Sequence, residues 1–521
     1  MSEIKTDQGA PALTVGSTQG RWLLAAAVIG SGMTYLDGTV VTVALPIMQG
    51  DLGATFLSMQ WVISAYALFL SALLLVGGAL GDNWGLRRVY VIGIALFAIA
   101  SLLCGVARDA EELIIARAIQ GIGGALLVPG SLALLNAAFA LGERSKAIAT
   151  WSALAAVAPG LGPWLGGWIT DTLSWRWIFF INIPLALIAI GILLGCVRET
   201  PHAKGLKRLD WGGATTVTPG LGGSVFGFIE SGRLGFMHPA VIGSLFGGVA
   251  LLLLFCLIER RVEQPMMPLS LFRSTTFVGV NAVTLFLCFG LGGTFFFLPF
   301  LLIEVRGYSA MGAGAVLLPT ILCIVVLSRW AGTIANRIRP RTMLVAGPSL
   351  AAIGFLMFGF TDARGNYWTD LFPAAMVVGL GLAATVAPLS TTVMAAASAS
   401  RSGVASAINN AVSRTASLIA IPILGVIVLA ASNAELDRQF GGLGLSSELR
   451  EQLSGERLKF AAAEIPETVG PSLRKALGAS IDAAFLVGYR RAMFVTAALA
   501  ILGAIFGALL IEAPHRGRRN E

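Results

Sequence analysis

Apolar residues in this chain run in blocks of about 20, broken by short stretches that carry charge, glycine or proline. Neither the alternation of a half-buried strand nor the narrow stripe of a surface helix is sustained. Wound as a helix at 1.5 Å per residue, such a block crosses the roughly 30 Å hydrocarbon layer of a bilayer. Fourteen spans are predicted: residues 21–44, 57–79, 88–107, 112–137, 146–170, 176–197, 210–230, 239–258, 275–303, 310–335, 341–360, 370–395, 404–431 and 489–511. One break is long. Residues 432–488 mix 8 acids with 6 bases and contain helix-patterned pieces such as SSELREQLSGERLKFAAAE. That pattern suits an amphipathic hairpin outside the membrane or a solvated linker.

Composition agrees with the pattern. At 56% hydrophobic and 12% charged, the chain has about half the charge expected of a soluble protein, so it reads as an all-α polytopic membrane protein. The basic balance, net +8, is no nucleic-acid stripe, because the positive residues recur singly or in small groups between spans. With the N-terminus inside, the cytoplasmic segments hold 20 Lys/Arg, and the short outer loops hold five, Arg108, Arg176, Arg233, Arg306 and Arg364. The positive-inside rule therefore puts both termini in the cytoplasm of a cell-membrane protein. Tryptophans near the inner ends (Trp22, Trp211, Trp330) and outer ends (Trp61, Trp175, Trp177, Trp368) fit interfacial belts. The five cysteines stand singly, without metal-ligand spacing. The first 20 residues have no separate apolar h-region, so the first span is expected to serve as an uncleaved targeting segment.

A repeat divides the chain. GALGDNWGLRR (78–88) after the second span is echoed by GTIANRIRPR (332–341) after the tenth, and GIGGALLVP (121–129) in the fourth by GLGLAATVAP (379–388) in the twelfth. Repeated halves are a common plan of secondary transporters, with the substrate site between them. The organisation expected is a cytoplasmic tail (1–20), a six-helix bundle (21–200), two inserted helices (201–262), a second six-helix bundle that includes the long outer loop (263–512), and a tail (513–521).

These motifs carry a family resemblance over nearly the whole chain. LDGTVVTVALP (36–46), GALGDNWGLRR (78–88), ARAIQGIGGA (116–125), GLGPWLGG (160–167) and SWRWIFFINIP (174–184) resemble, in order and position, the major facilitator superfamily, in particular its fourteen-helix drug:proton antiporter branch. The resemblance implies the major facilitator fold and a proton-coupled exporter of amphiphilic drugs that works by alternating access. Asn83 and Leu86 stand where that family usually has basic residues.

Asp37 is the only carboxylate deep in any predicted span. It lies about 24 Å along the first helix, and Arg117 enters from the outer end of the fourth at a similar depth. Charges inside a membrane face the bundle interior and pair. Burial favours the neutral form of a carboxylate and a nearby arginine favours the charged form, so such a group can gain and lose a proton as its surroundings change. The pair is read as a proton-coupling site, a role the resemblance also implies, or as a static tie between two helices. Arg117 stands four residues before Gly121, whereas the matching residue before Gly379 is Ala375. A requirement of the fold alone would appear in both halves.

Gly78, Asp82, Gly85, Arg87 and Arg88 form a cytoplasmic turn in which Asp82 can cap a helix N-terminus and the arginines can meet carbonyl ends. The resemblance makes this a conformational latch; the plain alternative is a topogenic charged loop. Pro159, Gly162, Pro163, Gly166 and Gly167 permit close packing and a kink in the fifth span, which by resemblance is the antiporter motif. Trp61, Tyr66, Trp151, Asn281, Phe289, Asn409 and Asn410 offer stacking and hydrogen bonds to a substrate, with Arg414 as an intramembrane base. The second half has no deep acid, so a neutral, zwitterionic or monocationic amphiphile is expected, or an anion if Arg414 faces the cavity. No Gly-Lys phosphate loop, metal-ligand pattern or nucleophile motif occurs. No enzyme, metal or cofactor is therefore expected, only the proton gradient and a chain functional as a monomer. A dedicated exporter of one metabolite, self-made antibiotic or lipid would carry the same signals.

Overall fold

The structure, a computed structural model, describes residues 13–155, 157–197, 210–262, 265, 267–335, 339–397, 402–443, 445–462, 465–466 and 469–512. The outer parts of both tails and the 198–209 connection predicted above lie outside the described residues. The helices are α1 (Thr18–Asp51), α2 (Phe56–Trp84), α3 (Leu86–Val106), α4 (Ala110–Ala138), α5 (Leu141–Ala155), α6 (Val157–Thr172), α7 (Trp177–Phe180), α8 (Asn182–Cys196), α9 (Trp211–Leu234) and α10 (Pro239–Arg261). They continue with α11 (Thr275–Phe300), α12 (Ala310–Ala315), α13 (Leu318–Ala335), α14 (Pro340–Gly359), α15 (Phe372–Ala395), α16 (Ser402–Gly442), α17 (Ser447–Glu456) and α18 (Pro471–Leu510). No strand occurs among the described residues.

Helices cover all fourteen predicted spans, in two pieces at 146–170, 176–197 and 310–335, and thirteen spans are long and apolar enough to cross a membrane. The exception is α9, a helix of 24 residues rich in glycine and threonine. Polar caps set several starts. Ser17, Asp109, Ser274 and Ser309 each accept a backbone N–H in the first turn of the helix they precede. Gly85, with φ at 102°, lets the chain turn between α2 and α3 without a Cβ clash.

Two compact units emerge. The first holds residues 1–54, 61–224 and 246–266. Its core gathers Leu23, Ala27, Tyr90, Phe97, Leu127, Leu135, Phe139 and Leu193. Small residues let its helices close up. A Cβ on Gly123 would stand 2.6 Å from the Phe97 nitrogen, and one on Gly121 would stand 2.5 Å from the Tyr66 carbonyl oxygen. The start of the chain is tied down as well: Leu13 pairs with Phe139, and the Val15 N–H donates to Glu143 at 3.0 Å.

The second unit holds residues 55–60, 225–245 and 267–521. The helix pairings of the first recur in it: α3 with α4 matches α14 with α15, α1 with α6 matches α11 with α16, and α1 with α8 matches α11 with α18. The glycine register repeats as well, since a Cβ on Gly379 would meet the Thr320 backbone at 2.8 Å. In the segments that follow α11 and α14, Arg306 pairs with Asp370, and Arg490 of α18 pairs with Asp362 at 2.6 Å.

Two predictions need correction. Residues 432–488 are neither a bare linker nor a separate hairpin. α16 runs on to Gly442, α18 begins at Pro471, and α17 with a short 3-10 turn closes the gap over a core of Leu436, Phe440, Leu445, Leu453, Leu477, Ile481 and Ala484. The charges that ended both predicted spans lie along helices that continue past the apolar stretch. Trp175 is no belt residue: it is buried, and its ring N–H donates to Asp51 at 2.8 Å. Trp22, Trp177 and Trp368 are exposed, as belts require. Asp82 lies in the last turn of α2, and the N-cap of α3 is Gly85.

Candidate functional site

Asp37 and Arg117 meet in the first unit. Arg117 Nη1 lies 2.6 Å from Asp37 Oδ2, and both side chains are fully buried. Sequence reading missed what surrounds them. Gln120, one turn along α4 from Arg117, donates from Nε2 to Asp37 Oδ1 at 2.9 Å and accepts from Arg117 Nη1 at 2.7 Å. Ser101 on α3 accepts from Gln120 at 3.3 Å and from Asn182 at 2.9 Å, and donates to the Phe179 carbonyl at 2.9 Å. Cys104 donates a weaker S–H bond to Gln120 at 3.6 Å. The one readable signal was spacing: an amide three residues after an intramembrane arginine shares its helix face. A serine or asparagine in an apolar span gives no comparable sign.

Arg117 is held on its other sides too. Nε donates to the Val62 carbonyl at 3.2 Å, and the guanidinium carbon lies 4.2 Å from the centre of the Tyr66 ring. An arginine over an aromatic face is stabilised by the ring quadrupole. Tyr66, expected to line a substrate cavity, is thus buried beneath Arg117, with its hydroxyl donating to the Thr34 carbonyl at 3.4 Å. Two polar atoms stay unpaired, Arg117 Nη2 and Asn182 Oδ1.

The glycine motif of α6 lies against the same stretch of α1. A Cβ on Gly162 would fall 1.9 Å from Thr39 Oγ1, and one on Gly166 would fall 2.8 Å from the Val40 carbonyl oxygen. Gly167 and Pro163 are buried, and Pro159 is partly so. Close packing of α6 therefore fixes the helix segment two and three residues beyond Asp37. In the 78–88 turn, a Cβ on Gly78 would stand 3.6 Å from the Pro129 side chain, Arg88 is exposed, and Arg87 Nη1 donates to the Val197 carbonyl at 2.5 Å. That carbonyl belongs to the C-cap of α8, so this bond of Arg87 ties helix ends within one unit.

The remaining candidates separate. Trp151 donates to Ser31 at 3.1 Å in the first unit, where Trp61 is half-buried. In the second, Asn409 bridges to Asn281 at 3.1 Å and to Thr284 at 2.7 Å, Phe289 is half-buried, and Asn410 is exposed. Arg414, partly exposed, has no hydrogen-bonding or ionic partner among the described residues. No group of three or more His, Cys, Asp or Glu side chains among the described residues could hold a metal ion.

Comparison with known proteins gives the arrangement a context. Residues 27–421 match the family model described as Major Facilitator Superfamily. The chain is 36% identical over 424 residues to the puromycin resistance protein pur8 of Streptomyces alboniger, an alignment covering 80% of this chain and 83% of that protein. It is 33% identical over 420 residues to the multidrug resistance protein Stp of Mycobacterium tuberculosis, covering 80% and 77%. It is 30% identical over 406 residues to the tetracenomycin C resistance and export protein of Streptomyces glaucescens, covering 78% and 75%. The fold is similar to that of a bacterial homologue of the human lysosomal transporter Spinster, at a TM-score of 0.66 and 18% identity, over 96% of this chain and all of that one.

Proposed function

The chain belongs to the Major Facilitator Superfamily, and from that premise we propose that it exports amphiphilic small molecules in exchange for protons by alternating access. It is a multi-pass membrane protein and a transporter rather than an enzyme. The observation that carries the proposal is the buried Asp37–Arg117–Gln120 cluster in a chain with no other carboxylate so deep in a predicted span.

In this reading Asp37 is the exchange group. Ionised, it holds Arg117 and Gln120; protonated from the outer side, it releases them and gives up its proton to the cytoplasm after the conformational change. The 78–88 turn acts as a latch on the cytoplasmic side, and Gly162 and Gly166 keep the α1–α6 contact tight enough to stop protons leaking past. The proton gradient supplies the drive, with no cofactor and no second subunit.

Substrate-induced proton release tests this. The protein, purified in detergent and weakly buffered, is titrated with cationic, neutral and anionic amphiphiles and compared with Asp37→Asn. We expect release by the native protein and none by the variant. Binding without release, or equal release by both, would move the coupling site elsewhere. A dedicated exporter of one metabolite is the second reading, favoured by relatives named for resistance to single compounds; it predicts that one member of the panel responds.

A further inference from the structure

We infer that Arg414 is the headgroup contact of the substrate pathway and that the transported amphiphiles carry an anionic or strongly accepting group. The inference rests on the export reading above and specifies its substrate class.

Arg414 stands on α16 twelve residues beyond Ser402, about 18 Å along the helix and so well within a bilayer of roughly 30 Å hydrocarbon. An arginine at that depth is expensive unless it has a counter-charge, hydrogen-bond acceptors or water. Arg117, the intramembrane arginine of the first unit, has a carboxylate, an amide and a backbone carbonyl. Arg414 has none of these, and no Asp or Glu lies in the sequence between Arg306 and Thr361 or between Leu371 and Asn433.

The surroundings of Arg414 differ from those of a lipid-facing helix. From Ala411 to Leu429 no residue of α16 is exposed, whereas α10 presents Phe246 at 75% and Leu253 at 62% to its surroundings. Over this stretch α16 is covered more fully than α10 is, and Arg414 stands on a helix packed among others. The residue one turn before it on the same face is Asn410, which is exposed and bonds only to the Ser406 carbonyl. The neighbouring face is polar but already satisfied: Ser413 donates to Cys288 at 3.0 Å, Ser417 donates to the Cys288 carbonyl at 3.1 Å, and Asn409 is shared between Asn281 and Thr284. These contacts fix the rotation of α16 against α11 and leave the Arg414 guanidinium without a partner among the described residues, with the exposed Asn410 one turn before it. A planar fork of five donors with no partner among the described residues suits a carboxylate, sulfonate or phosphate, or failing these a cluster of carbonyl oxygens.

The test uses a matched series on one naphthyl scaffold, ending in carboxylate, primary amide or ammonium. Binding to the purified full chain is read by tryptophan fluorescence, and uptake into inside-out proteoliposomes is driven by a pH gradient. The native protein should bind the carboxylate about tenfold more tightly than the ammonium compound, as expected for one charge-assisted contact. Arg414→Gln should erase that preference while leaving amide binding within about twofold. Arg414→Lys should recover part of it, because charge survives although the fork is lost. Equal or tighter ammonium binding by the native protein, or a carboxylate preference that survives Arg414→Gln, overturns the inference. The native comparison needs no variant to fold. The export reading is judged separately: if the gradient drives uptake of the ammonium compound alone, export stands and Arg414 has been misassigned. If bound carboxylate is not moved by the gradient, the headgroup contact stands and proton-driven export falls.

Discussion

The two oxygens of Asp37 each receive a donor, Oδ2 from Arg117 and Oδ1 from Gln120. Ser101 sets the direction of that traffic. Its hydroxyl donates to the Phe179 carbonyl, so it can only accept from Gln120 and Asn182. The Gln120 amide must then turn its NH2 toward Ser101 and Asp37 and its oxygen toward Arg117. A neutral Asp37 would want an acceptor, and Gln120 could supply one only by turning its NH2 toward the guanidinium. Removing one member of a buried ion pair leaves an uncompensated charge, so Arg117→Leu should cost about 3–5 kcal/mol of stability. Combining it with Asp37→Asn should restore most of that loss, while substrate-induced proton release stays absent. Thermal unfolding in detergent checks the first part and the release assay the second. The ion pair was legible because charge is rare in apolar spans. The hydroxyl and amides that orient it were not, since such groups in a span more often bond to their own helix, as Thr170 does to Gly166 at 2.7 Å.

Between elements, the decisive contact is α6 on α1. Val at position 162 would put a side chain where Thr39 already lies, since even a Cβ would fall 1.9 Å from its hydroxyl. Gly162→Val should therefore push α6 off α1 and abolish gradient-driven export. Gly38→Ala, beside Asp37 but with nothing within 4 Å of the added carbon, should export normally. The pair of variants separates a packing requirement from a general intolerance of change near Asp37; equal loss in both would refute it. The glycine spacing was readable in advance, but the partner helix was not, because spacing within one helix says nothing about which neighbour it meets. Helix ends were misjudged for a related reason. The charged turns of α16 and α18 beyond the predicted spans pack on Leu445, Leu453 and Ile465 of the segment that joins them, which carries no periodic sign of the contact.

For the molecule as a whole, the twofold repeat was visible in the sequence because both halves keep the same glycine register. Only one half keeps the charge: Arg117 answers to Ala375, whose carbonyl accepts from Thr320 at 2.8 Å. Labelling reads the orientation of the chain directly. In a cysteine-free background, Arg108→Cys and Glu451→Cys should react with an impermeant maleimide on intact cells, and Lys146→Cys only after permeabilisation. All three positions are exposed. Reversed labelling would invert the orientation inferred from the loop charges. The 41-residue α16 is about 60 Å long, twice the hydrocarbon thickness, and α18 at 40 residues is nearly its equal. Roughly half of each must stand clear of the lipid, joined at the tip by α17 and packed over its own apolar core. Single-particle imaging of small transporters suffers from particles that show nothing beyond the detergent belt. This chain carries its own alignment mark, and an antibody fragment raised against the α16–α18 tip would have a firm helical epitope to grip.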